Sequence, residues 1–326
     1  MKDAPWVRRQ EGEVSWKFPW APGMLEEDKR DFENTVKSII PRMGAKSKLL
    51  SYIIPRFPDC HTYVEPFGGS FKVLMNKEKV NKIEIINDID DDLVHFFRYV
   101  VFWPNELVEM VNSIPCHQGI MNALRDELVR GKLTGLERAA ATYYSIKLSF
   151  NGTGKSFAGS VHSLARARAD ISIFKGVAER LKKADIRCKD AHELIALCNR
   201  KLDQNRYPGG IFFYLDPPYD ETGGYATLKS RSIYGKAEQY HLFTLAKKIH
   251  ENGNRFMMTN SYTKYLREMW CTVPDWFHVK RKVKYTISGD SAFREDTDEL
   301  IVANFPFDEV HKKKNRSGRL FGKEKK

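Results

Sequence analysis

From Thr62 onward, short apolar stretches alternate along the chain with helical ones. Each short stretch is a nearly continuous run of apolar residues, which is typical of strands covered by helices on both faces of a sheet. The alternation predicts an α/β fold built on a largely parallel sheet. The predicted strands lie in TYVEPF, KIEIINDI, DIRCKDA, GGIFFYLDPP, NRFMMTNS and DELIVANF.

A helix is predicted directly after the second strand, NDID being the acidic turn between them. Apolar residues recur there at helical spacing, and Asp90 or Asp91 is placed to cap the helix. The recurring apolar residues are Leu93, Phe96, Phe97, Val100 and Val101. The chain thus continues as strand, acidic turn and helix.

The strand pattern stops between about residues 100 and 185, which suggests a helical insertion into the α/β core. Helices are predicted in NELVEMVNSI, GIMNALRDELVRG and GLERAAATYYSIKLSF, followed by a basic, loop-like stretch. YTISGDSAFREDTDELIVAN predicts a terminal hairpin of the sheet. The predicted units are an extension at 1–38, a core at 39–97 and 186–310, an insertion at 98–185 and a basic tail at 311–326.

The chain is basic, with 54 Lys and Arg against 42 Asp and Glu and a formal net charge of +12. This balance suits a polyanionic partner, although a solvated basic surface would look the same. No apolar run approaches the roughly 18 residues that span a bilayer, and the N-terminus is too charged for a secretory signal. We therefore expect a cytoplasmic protein.

The five cysteines are scattered and form no Cys-x-x-Cys pair, so neither a disulfide framework nor a zinc site is predicted. Cys60-His61 and Cys116-His117 place metal-ligand residue types side by side. Adjacent residues in a strand or helix point in different directions, so we expect no metal there. Reduced, mostly structural thiols are expected.

Acids and glycines follow three of the predicted strands, and in an open α/β sheet ligands bind at the carboxyl ends of strands. YVEPFGGS places Glu65 and the pair Gly68-Gly69 after one strand, where glycines allow a tight turn and close approach to a ligand. Asp88 ends the next strand, and its carboxylate can accept both hydroxyls of a ribose. The glycines can also form a simple turn, and Asp88 can also cap the following helix.

LDPPY ends the fourth apolar strand on a carboxylate, two prolines and an aromatic ring. Pro217 and Pro218 have fixed backbone dihedrals and no N–H, so their carbonyls form a rigid set of acceptors. Asp216 adds a second type of acceptor and Tyr219 a stacking surface, although Asp216 can also serve as a turn residue. The arrangement suits a planar ring that carries an NH2 group.

An exocyclic amine of a nucleobase is a poor nucleophile because its lone pair is delocalised into the ring. Accepting both of its hydrogens favours a pyramidal nitrogen, which stabilises the transition state more than the planar ground state. Holding that nitrogen about 3 Å from an electrophilic methyl group, in line with the leaving group, supplies much of the remaining rate. Neither a metal nor a covalent enzyme intermediate is required.

The ordered series PRMGAK, YVEPFGGS, NDID, FNG, LDPPY, MMTNS and DELIVAN resembles the Dam-type DNA adenine methyltransferases. The match runs in the family's order from about residue 39 to 305. The resemblance implies a Rossmann-like methyltransferase core with a terminal antiparallel hairpin and an inserted target-recognition domain. It implies transfer of a methyl group from S-adenosylmethionine to the N6 amine of adenine in double-stranded DNA.

The resemblance also assigns roles to residues of this chain. Asp216 and the Pro217 carbonyl would take the target amine, Pro218 would complete the rigid turn, and Tyr219 would stack on a flipped-out adenine. Lys46 would lie near the cofactor carboxylate, Asp88 at the ribose and Asp190 at the cofactor's adenine. The full cofactor set is Arg42, Gly44, Lys46, Glu65, Pro66, Phe67, Gly68, Gly69, Ser70, Asp88 and Asp190.

The chain departs from the family pattern at three cofactor positions. Arg42 stands where the family generally has tryptophan, Phe71 where it has a further glycine, and Ala191 where phenylalanine is usual. We expect these departures to act on cofactor affinity rather than on the catalytic residues.

The insertion falls where the family places its target-recognition domain, and FNGTGKSFAGS matches the start of a DNA-contacting loop or hairpin. Its GTGKS is similar to a phosphate-binding loop, but Ser149 stands at the required first glycine and a helix precedes it, so ATP binding is not predicted. The tail lysines suit phosphate contacts. The candidate DNA-binding residues are Asn151, Gly152, Lys155, Arg166 and Arg168.

Other functions remain open at this stage. The acceptor arrangement also fits a methyltransferase acting on adenine in RNA or on the amine of cytosine in DNA. Phe71 and Ala191 also allow a nucleic-acid-binding relative with impaired catalysis.

Overall fold

The structure, a computed structural model, describes residues 39–40, 49–77, 80–149, 152, 154, 157–158, 168–219, 225–226, 231–232, 234–286 and 294–306. Nine strands lie in this part of the chain, seven of them in one sheet of order β3-β2-β1-β4-β7-β9-β8. The strands are β1 Thr62–Glu65, β2 Ile83–Asn87, β3 Asp185–Arg187, β4 Ile211–Leu215, β5 Tyr225–Ala226, β6 Arg231–Ser232, β7 Arg255–Ser261, β8 Phe277–Thr286 and β9 Arg294–Ala303.

The sheet confirms the predicted fold class. Five neighbouring strands, from β3 to β7, are parallel, and β9 is antiparallel to both β7 and β8. All six predicted strands and the terminal hairpin are present. The separate β5–β6 pair was not predicted, because two-residue strands carry no periodic signal.

Ten α-helices and one 3-10 turn, Ile54–Arg56, connect these strands within the described residues. The three helices predicted in the insertion are confirmed at Pro104–Ser113, Gln118–Val129 and Gly135–Lys147. The α-helices are α1 Leu50–Ile53, α2 Lys72–Asn76, α3 Asp91–Phe102, α4 Pro104–Ser113, α5 Gln118–Val129, α6 Gly135–Lys147, α7 Ile171–Leu181, α8 Ala191–Cys198, α9 Lys236–Glu251 and α10 Lys264–Trp270. None of them is long and apolar enough to cross a membrane.

Helix α3 forms where the apolar spacing predicted it. Asp90 is the N-cap and accepts a hydrogen bond from the Leu93 amide at 3.3 Å, whereas Asp91 lies inside the first turn. The five apolar residues named above are all buried. The helix therefore starts at a side-chain cap and is held by its apolar face.

Two hydrophobic cores lie on the two faces of the sheet, which explains why its strands are continuous apolar runs. One core packs β1 Tyr63 and β4 Tyr214 against α2, α3 and α7. The other packs β1 Val64 and β4 Phe213 against α8, α9 and α10. Successive residues of one strand thus enter different cores.

Helix α7, which the apolar pattern did not single out, is joined to the sheet by a buried ion cluster. Arg180 of α7 and Lys77 both contact Glu84 of β2 at 2.6 Å, and all three side chains are nearly fully buried. Removing one member of such a cluster leaves an uncompensated buried charge. Helix α7, near the end of the predicted insertion, thus packs on the core. At the other boundary, α3 runs continuously through residue 98. The division at 98 and 185 into units of separate function stays a prediction.

Candidate active site

The order of the strands brings two distant acids to one edge of the sheet. The chain leaves β1 toward β2 and β3 on one side and then returns to place β4 on the other. Strands β1 and β4 are parallel neighbours in register, Val64 opposite Phe213, so Glu65 and Asp216 lie at the same edge. This is the switch point where α/β proteins bind ligands.

Asp216 is oriented by a chain of hydroxyl groups. Thr259 on β7 donates to Asp216 Oδ1 at 3.1 Å, and the Tyr214 hydroxyl lies 2.9 Å from Thr259 Oγ1. Because Thr259 uses its one proton on Asp216, Tyr214 donates to Thr259. Both hydroxyl-bearing residues are fully buried. MMTNS belongs to the series of motifs that resembles the family, but the sequence predicts no role for Thr259.

The backbone of the two prolines is held from α9. Gln239 donates to the Pro218 carbonyl at 3.0 Å, and its own side-chain oxygen accepts from Asn260 at 3.3 Å. Gln239 and Asn260 are fully buried. The bond engages the Pro218 carbonyl, not the Pro217 carbonyl to which we assign acceptance of the target amine.

Tyr219 is tethered through its hydroxyl group. It donates to Glu299 Oε2 of β9 at 2.5 Å. Glu299 is 1% exposed, whereas Tyr219 is partly exposed at the edge of the sheet. Glu299 was not predicted as a site residue. Asp216, Pro217, Pro218 and Tyr219, which we call the shelf, follow β4, and β7 lies between β4 and β9. The sequence does not show that β9, which contains most of DELIVAN, pairs with β7.

Glu65 is buried at the end of β1, where Tyr63 donates to its carboxyl group at 2.8 Å. Burial raises the pKa of Glu65 to about 8; the Tyr63 hydrogen bond opposes this rise and the charge of nearby Asp216 adds to it. Glu65 thus holds its proton more readily than an ordinary glutamate.

The glycine turn after β1 is tied to the end of β2. Gly68 N donates to the Asn87 carbonyl at 2.7 Å, and Gly69 N donates to Asp88 Oδ2 at 2.7 Å. A Cβ at Gly68 would lie 2.8 Å from that carbonyl, and Gly69 has φ +52°, so neither position suits a larger residue. Two of the predicted cofactor segments therefore form one structure, which also includes Pro66, Phe67 and Ser70.

Asp88 is a buried link in that structure. Its Oδ1 accepts from Asp90 N at 2.9 Å, and its Oδ2 accepts the Gly69 bond. The alternative that Asp88 caps the following helix is wrong, because Asp90 is the N-cap of α3. Asp88 instead holds the glycine turn against the acidic turn.

Asn87 joins all three strand-end loops, and its role was missed in the sequence. Its side-chain amide donates to the carbonyls of Pro66 and Lys189, both at 2.9 Å, and accepts from Lys189 N at 2.9 Å. Asn87 is fully buried. The ends of β1, β2 and β3 are therefore held together by one side chain.

Asp190 is the N-cap of α8. Its Oδ1 accepts from His192 N at 2.9 Å and Glu193 N at 3.1 Å, while its side chain remains half exposed. Beside it, Phe67 packs edge-on against Tyr234, and the Tyr234 hydroxyl lies 3.0 Å from His192 Nε2. Aromatic rings thus flank the position at which Ala191 replaces the family's usual phenylalanine.

Phe71 turns its ring into the core. Its backbone is left-handed, with φ +53°, which accounts for the glycine usual in the family. The ring is fully buried and packs on Phe97 with centroids 4.6 Å apart. Phenylalanine in place of glycine at this position therefore adds an aromatic ring to the core under the glycine turn, and not to the side of the turn that would face the cofactor.

The candidate DNA-binding residues are only partly described. Gly152 has φ +67° and donates to Ser149 O at 3.4 Å, and Ser149 forms an antiparallel bridge with Phe157, so the chain folds back after α6. Arg168 is exposed. The predicted site residues Arg42, Gly44, Lys46, Asn151, Lys155 and Arg166 lie outside the described residues.

The sheet order and the Asp-Pro-Pro-Tyr sequence at its switch point define the class of this protein as a methyltransferase with an α/β fold. Comparison with known families makes the class specific. Residues 43–287 match the D12 class N6 adenine-specific DNA methyltransferases, and the chain belongs to this family.

Three curated relatives are each similar to this chain over most of their own length. The Type II methyltransferase M1.LlaDCHI of Lactococcus lactis subsp. cremoris is 24% identical over 280 residues, 80% of this chain and 93% of the relative. The Retron Ec67 DNA adenine methylase of Escherichia coli is 21% identical over 82% of this chain and 92% of its own length. The DNA adenine methylase of Escherichia coli strain K12 is 23% identical over 81% and 93%.

Proposed function

We propose that this adenine methyltransferase takes its methyl group from S-adenosylmethionine and acts on an adenine flipped out of double-stranded DNA. The observation that carries the proposal is the meeting of Asp216 with Glu65 and the glycine turn at the switch point of the sheet. One edge thus joins a set of amine acceptors to a turn suited to a cofactor. This DNA substrate suggests a cytoplasmic location in a prokaryotic or phage-infected cell.

The residues at this edge fit such a cofactor. A Cβ at Gly69 would meet nothing within 4 Å, so the turn faces open space where a ligand can approach its backbone. Asp88 would serve the ribose, Asp190 the adenine, and the rings of Phe67 and Tyr234 would flank that base. When bound, S-adenosylmethionine supplies an electrophilic methyl group on a positively charged sulfur. By the resemblance of PRMGAK to the family motif, Lys46, Arg42 and Gly44 would complete the cofactor site.

The acceptors of the shelf would activate the target amine. Asp216 and the Pro217 carbonyl would each take one hydrogen of the amine, which favours a pyramidal nitrogen with an available lone pair. The Thr259 hydroxyl fixes the direction of Asp216, and the Gln239 bond holds the neighbouring peptide. Such preorganisation lowers the barrier because little rearrangement is needed during transfer.

The target base must leave the duplex to reach this edge. Tyr219, partly exposed beside Asp216, would stack on the flipped adenine. Arg168, together with Asn151, Gly152, Lys155 and Arg166 of the loop after α6, would contact DNA, the basic residues mainly through phosphates. Helices α4 to α6 would then present the target-recognition surface.

The proposal is tested with purified protein, methyl-labelled cofactor and duplex DNA. The recognition sequence is first obtained by modified-base sequencing of DNA from expressing cells. Asp216→Ala should abolish transfer but retain cofactor binding in calorimetry, whereas Glu268→Ala, at an exposed carboxylate of α10, should behave as wild type. Undiminished transfer by Asp216→Ala would refute the role of Asp216.

Digestion of the product separates the proposal from its rivals. The expected product is N6-methyl-deoxyadenosine, formed from duplex DNA in preference to single-stranded DNA or RNA. N4-methylcytosine or a methylated ribonucleoside would contradict the proposed substrate. Absence of cofactor binding by wild-type protein would favour the catalytically impaired relative.

A further inference from the structure

Polar side chains cross the sheet in one row at the active-site edge. Met257 of β7 and Ile301 and Ala303 of β9 share one core cluster, so the odd-numbered residues of both strands face the same side. Thr259 and Glu299 follow this alternation toward the edge that also carries Asp216. Glu299 on β9 thus places a carboxylate at the candidate active site, and the proposed reaction assigns it no role.

Glu299 meets the shelf through the hydrogen bond that Tyr219 donates to it. Its backbone pairs in register with Ser261 of β7 and with Arg281 of β8. This pairing fixes the position of its carboxylate along the strand, relative to the active-site edge of the sheet. The carboxylate accepts the Tyr219 hydroxyl at 2.5 Å while being 1% exposed. A buried carboxylate needs hydrogen-bond donors, and a charge-assisted bond is stronger than a neutral one.

We propose that Glu299 is a positioning residue that holds the ring of Tyr219 in the orientation needed to stack on the flipped adenine. This inference rests on the proposed stacking role of Tyr219. The prolines restrict the backbone before Tyr219, and Gln239 anchors the Pro218 carbonyl, but neither fixes the plane of the ring. The bond to Glu299 fixes the far end of the side chain, so the ring does not have to be ordered when the base arrives.

The alternative is that the bond from Tyr219 to Glu299 only stabilises the fold, as a contact between the segment after β4 and strand β9. A stabilising contact would change the thermal transition and all functions together. A positioning role instead lowers the rate of transfer and the capture of the flipped base, while cofactor affinity and folding are retained. The two roles are thus separated by which measurements change.

The test is a double-mutant cycle on Tyr219→Phe and Glu299→Ala in the full-length protein, with Glu299→Gln as the conservative variant. Single-turnover transfer at saturating cofactor and DNA should fall by about 10-fold to 100-fold in either single variant. The double variant should fall no further, because both changes break the same bond. Glu299→Gln keeps a carbonyl acceptor and should recover most of the rate.

Base capture gives a second readout. With 2-aminopurine at the target position, Tyr219→Phe and Glu299→Ala should alter the emission that accompanies flipping to the same extent, and cofactor affinity should stay within about twofold of wild type. Exposed Tyr240→Phe and Glu268→Gln are the matched controls and should leave rate and emission unchanged. If Glu299→Ala does not fold, the cycle is run with Glu299→Met, which keeps the length of the side chain and removes the acceptor, and the two rate losses should again fail to multiply.

Losses that multiply in the double variant would overturn the inference, as would parallel loss of cofactor binding and thermal stability. These failures differ from failure of the proposed function. If wild type transfers no methyl group, or Asp216→Ala remains active, the proposed function falls. If those two results are as expected and the cycle is additive, only the role of Glu299 falls.

Discussion

Thr259 donates its hydroxyl proton to Asp216 Oδ1 at 3.1 Å, and the Tyr214 hydroxyl donates to Thr259 Oγ1 at 2.9 Å. The hydroxyl therefore connects the main acceptor of the shelf to the interior of the sheet. Since a hydrogen bond orients the carboxylate before an amine arrives, Thr259 belongs to the preorganised part of the site.

Replacing Thr259 by valine keeps the shape of the side chain and removes this bond. We expect the single-turnover transfer rate to fall by about 10-fold, with cofactor affinity retained, and Thr259→Ser to recover the rate. The buried Tyr214 hydroxyl also loses its partner, which should lower stability by about 1 to 3 kcal/mol. Rapid-quench assays and denaturant unfolding measure the two effects. A wild-type rate in Thr259→Val would show that Asp216 needs no such support.

Substitution of Asn87 should weaken cofactor binding without touching a catalytic residue. Asn87→Leu removes three hydrogen bonds between strand-end loops, and Asn87→Asp places carboxylate oxygen against the carbonyls of Pro66 and Lys189. We expect calorimetry to show at least about 10-fold weaker cofactor binding in both, and unfolding to show a loss of about 2 to 4 kcal/mol. Exposed Asn205→Asp serves as the control. Unchanged cofactor affinity in folded Asn87 variants would refute this role.

Phe71→Gly tests whether the core or the backbone dominates at the end of the glycine turn. Removing a buried phenylalanine costs about 3 to 5 kcal/mol, whereas relieving a left-handed backbone gains about 1 to 3 kcal/mol. The buried ring should prevail, so denaturant unfolding should show a net loss of about 2 kcal/mol. Phe71→Leu, which retains most of the buried volume, should lose less. A more stable Phe71→Gly would mean that backbone strain dominates.

The raised pKa of Glu65 predicts a pH-dependent contribution to stability. Below its ordinary value of 4.5, folded and unfolded chains both hold the proton; between 4.5 and about 8 only the folded chain holds it. The contribution is therefore full at low pH and is lost as pH rises through this window, by up to about 1.4 kcal/mol per pH unit. Glu65→Gln, which can still accept from Tyr63, should remove this slope. Unfolding measured across the window in wild type, Glu65→Gln and Glu268→Gln should show it, and an identical slope in all three would refute it.

Arg168 tests the proposed DNA surface. Its backbone carbonyl accepts the Tyr143 hydroxyl at 3.2 Å, a bond that substitution of the exposed side chain leaves in place. If the guanidinium contacts a phosphate, Arg168→Gln should reduce the slope of log affinity against log salt by about 0.9. Exposed Lys201→Gln should leave the slope unchanged in the same fluorescence titration. Equal slopes for wild type and Arg168→Gln would exclude the contact.

The position of the Asp-Pro-Pro-Tyr shelf was predictable because its signal is local. A continuous apolar run indicates a strand covered on both faces, and Asp216 with its two prolines marks where that strand ends. The same reasoning located Glu65 and Asp88, since the carboxyl ends of parallel strands meet at one edge. Spacing also predicted that Asp90 or Asp91 caps the helix after β2, and the structure identifies Asp90 as that cap, bonded to the Leu93 amide.

Taken by itself, the sequence determined the α/β class, the strand ends and the residue types that follow them, because periodicity and turn chemistry depend on near neighbours. Only the tertiary structure decided which distant side chains support them. Thr259, Asn87 and Glu299 act on residues brought close by the order and register of the strands, and periodicity carries no information about that order. The hydrogen-bond partners of the residues at the strand ends depend on the assembled sheet, since only there does a buried donor or acceptor meet the atom that satisfies it.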